Sequence, residues 1–376
     1  MAFRSLIRTS ELCSKVLPFG KAQINLAFRS LIRTFGLWPK VLPFGKAQIN
    51  LAFRSLIRTF APKMKRNMGW MMAVAAVLLM AAGCADYGSR GSRNGYELRE
   101  GNAVYYWRTD LRLDSTERAF LGQYHINKVY CRYFDVVMLA AGDGDSLVPM
   151  PNATITFADT LPDSIELVPT IYITEDCMHE WHEGLAEKIV KRILQMNETN
   201  DITGVREIQM DCDYTARSRQ TYYRFLEEIG REWTKNNQSS SLSTLTFPLS
   251  TTIRLHQLQM AVPPVDYGVL MLYNTGDPRK FAERNPVLDI RDVQPYVKYL
   301  SGYGLPLAVA YPVYRWQRNI HNVRVEHTVE ASEILNVKQM VEHQCQDLRR
   351  AIITYHLDEE NIHRYPPDVY EKIYKH

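Results

Sequence analysis

Two carboxylates stand one residue apart at the end of an apolar-alternating run, Arg206-Glu207-Ile208-Gln209-Met210-Asp211-Cys212-Asp213, and a helical pattern follows at once. Neighbouring carboxylates push one pKa upward, so one can hold a proton while the other stays charged. Such a pair could do acid–base chemistry, bind the hydroxyls of a sugar, or merely cap the next helix. Alternation decides where it points. The apolar set Ile208, Met210 and Cys212 is expected to face a helix layer, so Gln209, Asp211 and Asp213 would face the other way, into a polar interior. Asp211 would then be the deeper acid, held by Arg132 or Arg254, and Asp213 the rim acid that meets a ligand.

Other chemistry-bearing residues recur at the ends of apolar runs. Trp107 follows the first run, and Arg132 with Asp135 the second. Arg254 and His256 share one alternating face of the fifth. Tyr273-Asn274 end the sixth, Tyr311 the seventh with Trp316 beyond, and His356, Asp358 and Glu359 the last. Together they would form a carboxylate-rich mouth with aromatic walls. Trp107, Tyr273, Tyr311 and Trp316 could stack on sugar rings, or simply pack the core.

These residues need elements to position them. Strand patterns fall at 103–109, 128–136, 166–174, 206–213, 251–257, 267–275, 305–314 and 351–358. Asp114-Ser115-Thr116-Glu117 has the form of a capping box opening a helix through Tyr124. Leu185, Ile189, Ile193 and Met196 mark one amphipathic helix; Tyr222, Phe225, Leu226, Ile229 and Trp233 mark another; Val337, Met340, Val341, Cys345 and Leu348 a third. Eight strands with intervening helices give an α/β chain, a (β/α)8 barrel in one domain spanning 102–376. Its rhythm is irregular between strands five and six and between seven and eight. A doubly wound open sheet is the other arrangement, but it usually carries a glycine-rich loop after its first strand; Tyr106-Trp107-Arg108-Thr109-Asp110 has no glycine, which counts against a nucleotide, and no cofactor is expected. Cys177-Met178-His179-Glu180-Trp181-His182-Glu183 spaces its histidines three apart, not the four of the zinc-protease motif, so no metal site is expected.

Glu207-Ile208-Gln209-Met210-Asp211-Cys212-Asp213-Tyr214-Thr215 resembles the fourth-strand signature of glycoside hydrolase barrels, especially the chitinase-like family 18. The match covers Asp211, Cys212, Asp213 and Tyr214. Ile208 stands where that motif has its first Asp, and Thr215 where it has the catalytic Glu. The layout from 103 to the end is also similar to bacterial lipoproteins with glycoside-hydrolase-like barrels. The resemblance implies a barrel that binds or hydrolyses a glycan. Hydrolysis needs two carboxyls flanking the bond, close together to retain configuration and further apart to invert it; Asp211 or Asp213 would be one, Asp358 or Glu359 the other. Thr215 in the acid position favours the alternative, a non-catalytic carbohydrate-binding or envelope-assembly lipoprotein.

The first 63 residues do not read as a domain. Lys15–Phe35 and Lys40–Phe60 are letter-for-letter copies. Solenoid repeats drift, because only core positions are constrained, so exact copies read as translated upstream sequence. Residues 64–83 form a secretory leader: Lys65 and Arg66, an apolar stretch from Met68, then Ala81-Ala82-Gly83 before Cys84. That ending resembles the bacterial lipobox, whose Cys is lipidated. Cys84 would anchor the protein in the cell envelope, facing the periplasm or exterior, with 84–101 as a polar Gly/Ser tether. Residues 1–83 carry 13 Lys/Arg against one acid, Glu11, so the chain's net +4 conceals about −8 beyond them. The basic pI therefore does not imply nucleic acid. Of the later cysteines, Cys131 and Cys212 sit in apolar strand patterns as small buried hydrophobes, and no obligatory disulfide is expected.

Cys84→Ala should release the protein from the membrane fraction or block its processing. Unchanged fractionation and size on a gel would refute the anchor.

Overall fold

The computed structural model describes residues 96–142, 146–237, 247–320 and 323–376. The repeats, the leader, Cys84 and the tether up to residue 95 lie outside the described residues. In chain order the strands are β1 (Gly101–Tyr106), β2 (Asp110–Leu111), β3 (Ile126–Ala140), β4 (Leu147–Asn152), β5 (Thr156–Phe157), β6 (Glu166–Ile173), β7 (Ile208–Asp211), β8 (Leu249–Ile253), β9 (Tyr267–Met271), β10 (Leu307–Pro312), β11 (Trp316–Ile320), β12 (Val323–His327) and β13 (Ala351–Tyr355). The helices are α1 (Ser115–Gln123), α2 (Leu185–Thr199), α3 (Arg219–Asn237), α4 (Ile290–Val297), α5 (Ala331–Gln344), α6 (Glu359–Ile362) and α7 (Pro367–Ile373). None of the described helices is long and apolar enough to cross a membrane.

Strands β1, β3, β6, β7, β8, β9, β10 and β13 lie side by side in chain order, all parallel. β1 pairs with both β13 and β3, which closes the sheet. The fold is the expected (β/α)8 barrel. Its irregular joints also lie where the sequence places them: β8 passes to β9 through a 3-10 turn, Leu255–Gln259, and the β11–β12 hairpin interrupts the passage from β10 to α5. A further departure had no warning. β3 runs on past the barrel rim and pairs antiparallel with β4, so a hairpin replaces the helix between the second and third barrel strands. Among the described residues β4 has no other strand partner. Pro149 and Pro151 lie in it opposite Met138 and Val136, as an edge strand tolerates.

Alternation sorts the side chains into two layers. Ile208, Met210, Cys212, Val309 and Tyr311 belong to the outer core under the helices. Leu185, Ile189, Ile193 and Met196 of α2 and Tyr222, Phe225, Leu226, Ile229 and Trp233 of α3 cover them, as their spacing requires. The capping box on α1 is present, with Asp114 accepting from the Glu117 N–H and Glu117 from the Asp114 N–H. Ala103, Tyr105, Tyr130, Val168, Val269, Met271, Ala308, Ala310 and Ile353 fill the barrel interior. Cys131 and Cys212 are fully buried, and both are free thiols.

Polar groups run down one side of that interior. At the N-terminal end, Glu207 is buried and accepts from Lys128 Nζ at 2.7 Å, from Ser250 Oγ at 2.7 Å and from the Tyr267 hydroxyl. Tyr130 and Tyr267 join through their hydroxyls at 2.6 Å, and Tyr96 stacks on the Tyr267 ring. Higher up, Gln209 accepts from Tyr105 at 2.8 Å and donates to Ser250 at 3.3 Å. Burial works against the Lys128 charge, but Glu207, Tyr130 and Glu166 hold its pKa well above the usual lysine value.

Removing one partner of a buried ion pair leaves the other charge uncompensated. Glu207→Ala should therefore cost about 3–5 kcal/mol in denaturant unfolding. Glu207→Leu combined with Lys128→Met should cost clearly less than Glu207→Ala. Equal losses would mean that the pair contributes only packing.

Candidate functional site

The site is built where β7 and β8 end. Their register matches Gln209 to Ser250 and Met210 to Thr251, which carries Asp211 beside Thr252 and Asp213 beside Arg254. Asp211 is 3% exposed and accepts from Thr252 Oγ1 at 2.6 Å. Asp213 is half-buried at the rim and accepts from Arg254 Nε. Both acids thus face inward as alternation predicts, but the expected pairing is reversed. The deep acid has a threonine and the rim acid has the arginine, because the register offset places Thr252 lower than Arg254. Arg132 is no partner of Asp211 either; its Nε donates to Asp135 Oδ1 at 2.8 Å.

The arginine is held by the chain beneath it. Arg254 follows β8 and caps the 3-10 turn, and Gln257 Oε1 accepts from its N–H at 2.8 Å. Gln257 Nε2 reaches back to the Tyr214 carbonyl at 3.0 Å, tying this turn to the exit of β7. Arg254 Nη1 and the Tyr273 hydroxyl are buried without a hydrogen-bond partner.

Aromatic rings form the opposite wall. Tyr273 stacks on Tyr355 with centroids 4.5 Å apart, and Trp107 lies 5.8 Å from Tyr355. The Arg132 guanidinium sits 5.6 Å from the Trp107 ring, and that of Arg254 5.7 Å from the Tyr273 ring. Tyr314 packs edge-on against Tyr355 at 5.3 Å, and its hydroxyl bonds Asn274 Oδ1. Asn274 adopts φ +51°, a left-handed turn that asparagine tolerates. Tyr172 stands in register with Asp211. Trp107, Arg132, Arg254, Tyr273, Asn274, Asp211 and Asp213 therefore converge. His356 borders them, half-buried, 5.2 Å from the Tyr355 ring. Sequence reasoning missed Tyr172, Thr252, Tyr314 and Tyr355. Parity would have found Thr252, which shares its face with Arg254, and Tyr355, which shares its face with the buried Ile353.

Five expected residues lie elsewhere or are otherwise engaged. Tyr311 points outward, 5.9 Å from Lys338 on α5, because Ala308 and Ala310 take the inward positions of β10. His256 is exposed in the 3-10 turn; β8 stops at Ile253, so strand alternation no longer applies to it. Trp316 opens the β11–β12 hairpin and packs on Phe281 at 5.4 Å. Asp358 is the N-cap of α6, accepting from the Asn361 N–H at 2.8 Å, and Glu359 is exposed in the first turn of that helix. Thr215 is exposed, and its hydroxyl donates to Glu175 at 2.7 Å. His179 lies 3.4 Å from Glu175, and no group of three or more potential metal ligands occurs among the described residues.

No protein-family model matches the chain, and no curated protein matches it. Among solved structures it is similar to a GH18 chitinase from Cycas revoluta in complex with (GlcNAc)3, at TM-score 0.47 and 9% identity over 73% of this chain and 98% of that one. It is similar to a chitinase-like agglutinin from Robinia pseudoacacia at TM-score 0.47 and 11% identity, over 72% and 98%. The barrel assignment rests on the closed strand order.

A second concavity, of about 920 Å³, opens at the N-terminal end of the barrel between Tyr96, Lys128, Glu166, Glu207 and the 200–204 loop. Its buried charges Lys128 and Glu207 already pair with one another, whereas at the C-terminal mouth Arg254 Nη1 and the Tyr273 hydroxyl are buried without a hydrogen-bond partner. Burial pushes the Asp211 carboxyl up to about 6; Arg254 pulls against this, the Asp213 charge adds to it, and the Thr252 hydroxyl opposes it. Burial also works against Arg254, but Asp213 and Asp211 hold its pKa above the usual arginine value.

The folded carboxyl at about 6 against an ordinary 3.8 means that the native state binds the extra proton between those values. Stability from this group is present below about pH 4 and is lost as pH rises through 6. Asp211→Asn should therefore unfold much like the parent at pH 4 and be more stable at pH 7, by on the order of 1–3 kcal/mol. A constant difference across that range would show that Asp211 titrates normally.

Proposed function

We propose that the barrel mouth binds a glycan, and that binding rather than two-carboxylate hydrolysis is its main task. The observation that carries this is the convergence of Asp211, Asp213 and Arg254 with Trp107, Tyr273 and Tyr355 at one end of the barrel. Planar polar groups beside aromatic faces suit a ring with hydroxyls on its edge and C–H groups on its faces. The family 18 resemblance of the β7 motif supports the same ligand class. Against hydrolysis, Asp358 is engaged in capping, Glu359 is exposed, and the acid position of the motif is Thr215. One observation favours a hydrolytic reading: Asp211, at about 6, could give up a proton near neutrality while Asp213 stays paired with Arg254. On the leader and Cys84, the protein would present this mouth from a lipid anchor in the bacterial envelope.

The test is a glycan array with matched chromogenic glycosides. Binding should be retained in the parent and fall at least tenfold in Trp107→Ala and in Asp213→Asn. Asp213→Asn should also lower the melting temperature, since it strips the half-buried Arg254 of its charged partner. Asp358→Asn should bind normally. Turnover abolished by Asp211→Asn would establish the hydrolytic reading, and an array blank for every sugar would end both.

A further inference from the structure

Four of the five exposed large hydrophobic residues among the described ones, Leu139, Leu147, Val148 and Met150, lie on the β3–β4 hairpin. Their placement is not random. Asp135 faces the mouth, where it holds Arg132 beside Trp107. Residues two and four further along the same strand, Val137 and Leu139, share that face. The alternate residues Val136 and Met138 go the other way, against the outer core. Register places Val148 opposite Leu139 and Met150 opposite Val137. Val137, Leu139, Val148 and Met150 thus form one apolar panel that continues the inner wall of the mouth above its rim. Leu139 is 42% exposed, Val148 36% and Met150 39%.

We propose that this panel is a subsite for an alkyl or acyl chain carried by the glycan, so that the natural ligand is an amphiphilic glycoside, a sugar with an aliphatic substituent. The inference rests on the glycan reading of the mouth. The lining selects the occupant. Inside the mouth the walls are aromatic rings, which suit flat sugar faces; the panel above is aliphatic and holds no ring. Branched and thioether side chains pack well against a flexible chain and poorly orient a polar ring. Continuity with the mouth puts the chain on the same molecule as the sugar.

The experiment compares methyl and n-octyl glycosides of glucose, galactose, mannose and N-acetylglucosamine, below micelle-forming concentrations, by calorimetry or fluorescence. For the sugars that bind, the octyl form should bind at least about tenfold more tightly, since each buried methylene contributes favourably. Leu139→Ser with Val148→Ser and Met150→Ser should erase that advantage and leave methyl-glycoside affinity and melting temperature unchanged. Leu147→Ser, on the opposite face of the hairpin with Ala140, should leave the advantage intact. Equal affinity for methyl and octyl forms overturns the subsite and leaves the glycan reading standing. Octyl binding that survives Trp107→Ala and Asp213→Asn overturns it too, because the panel would then be acting as a bare apolar surface, for a membrane or a protein. If neither form of any sugar binds, the glycan reading falls and the subsite with it.

Discussion

The seam between β7 and β8 is the constraint around which the rest is arranged. Alternation turns Glu207, Gln209, Asp211 and Asp213 inward on one strand and Ser250, Thr252 and Arg254 inward on the next. Apolar outer positions on β7 fix this choice, since a one-residue slip would put Ile208, Met210 and Cys212 in the lumen and seven polar groups under the helices. A barrel interior is usually a layered apolar core. Here one flank must satisfy itself by hydrogen bonding across a single strand pair, and register decides which group meets which.

The two ends of the seam are resolved differently. At the N-terminal end, an ion pair, a serine and two tyrosines close a network around Glu207. At the C-terminal end, Arg254 spends one nitrogen on Asp213 and leaves another unmet, next to an unmet tyrosine hydroxyl. Buried polar groups without partners cost free energy. Along this seam the network is closed at the N-terminal end and left open at the C-terminal end.

Much of the barrel is written plainly in the chain. The strand runs, the capping box at Asp114 and the stripes on α2 and α3 all reflect burial on one face, which periodicity reports directly. The inward turn of Asp211 and Asp213 was legible for the same reason. Partner identity was not, because it depends on a two-strand register that no single strand encodes; hence Thr252, not an arginine, on Asp211. Tyr311 shows a different loss: it is out of phase with the inward Ala308 and Ala310, and its ring packs between strand and helix, which residue type alone does not reveal. His256 fell past the end of β8, where Gln257 folds back onto the Arg254 backbone and the period of two lapses. The β4 strand went unseen because Pro149 and Pro151 read as breakers, and only an edge position excuses them.

Those prolines have a consequence for how the molecule behaves in company. Closure leaves the barrel strands without free edges, and among the described residues the outer side of β4 is an open border of the main sheet. Residues two apart in a strand direct their amides to the same side, and the ladder to β3 continues past both prolines, so the missing N–H groups are on the free side. A strand from a neighbouring molecule would find acceptors there but few donors. A protruding apolar hairpin is ordinarily an invitation to intermolecular sheet formation. With two of its donors missing, that border is a poor template for an added strand.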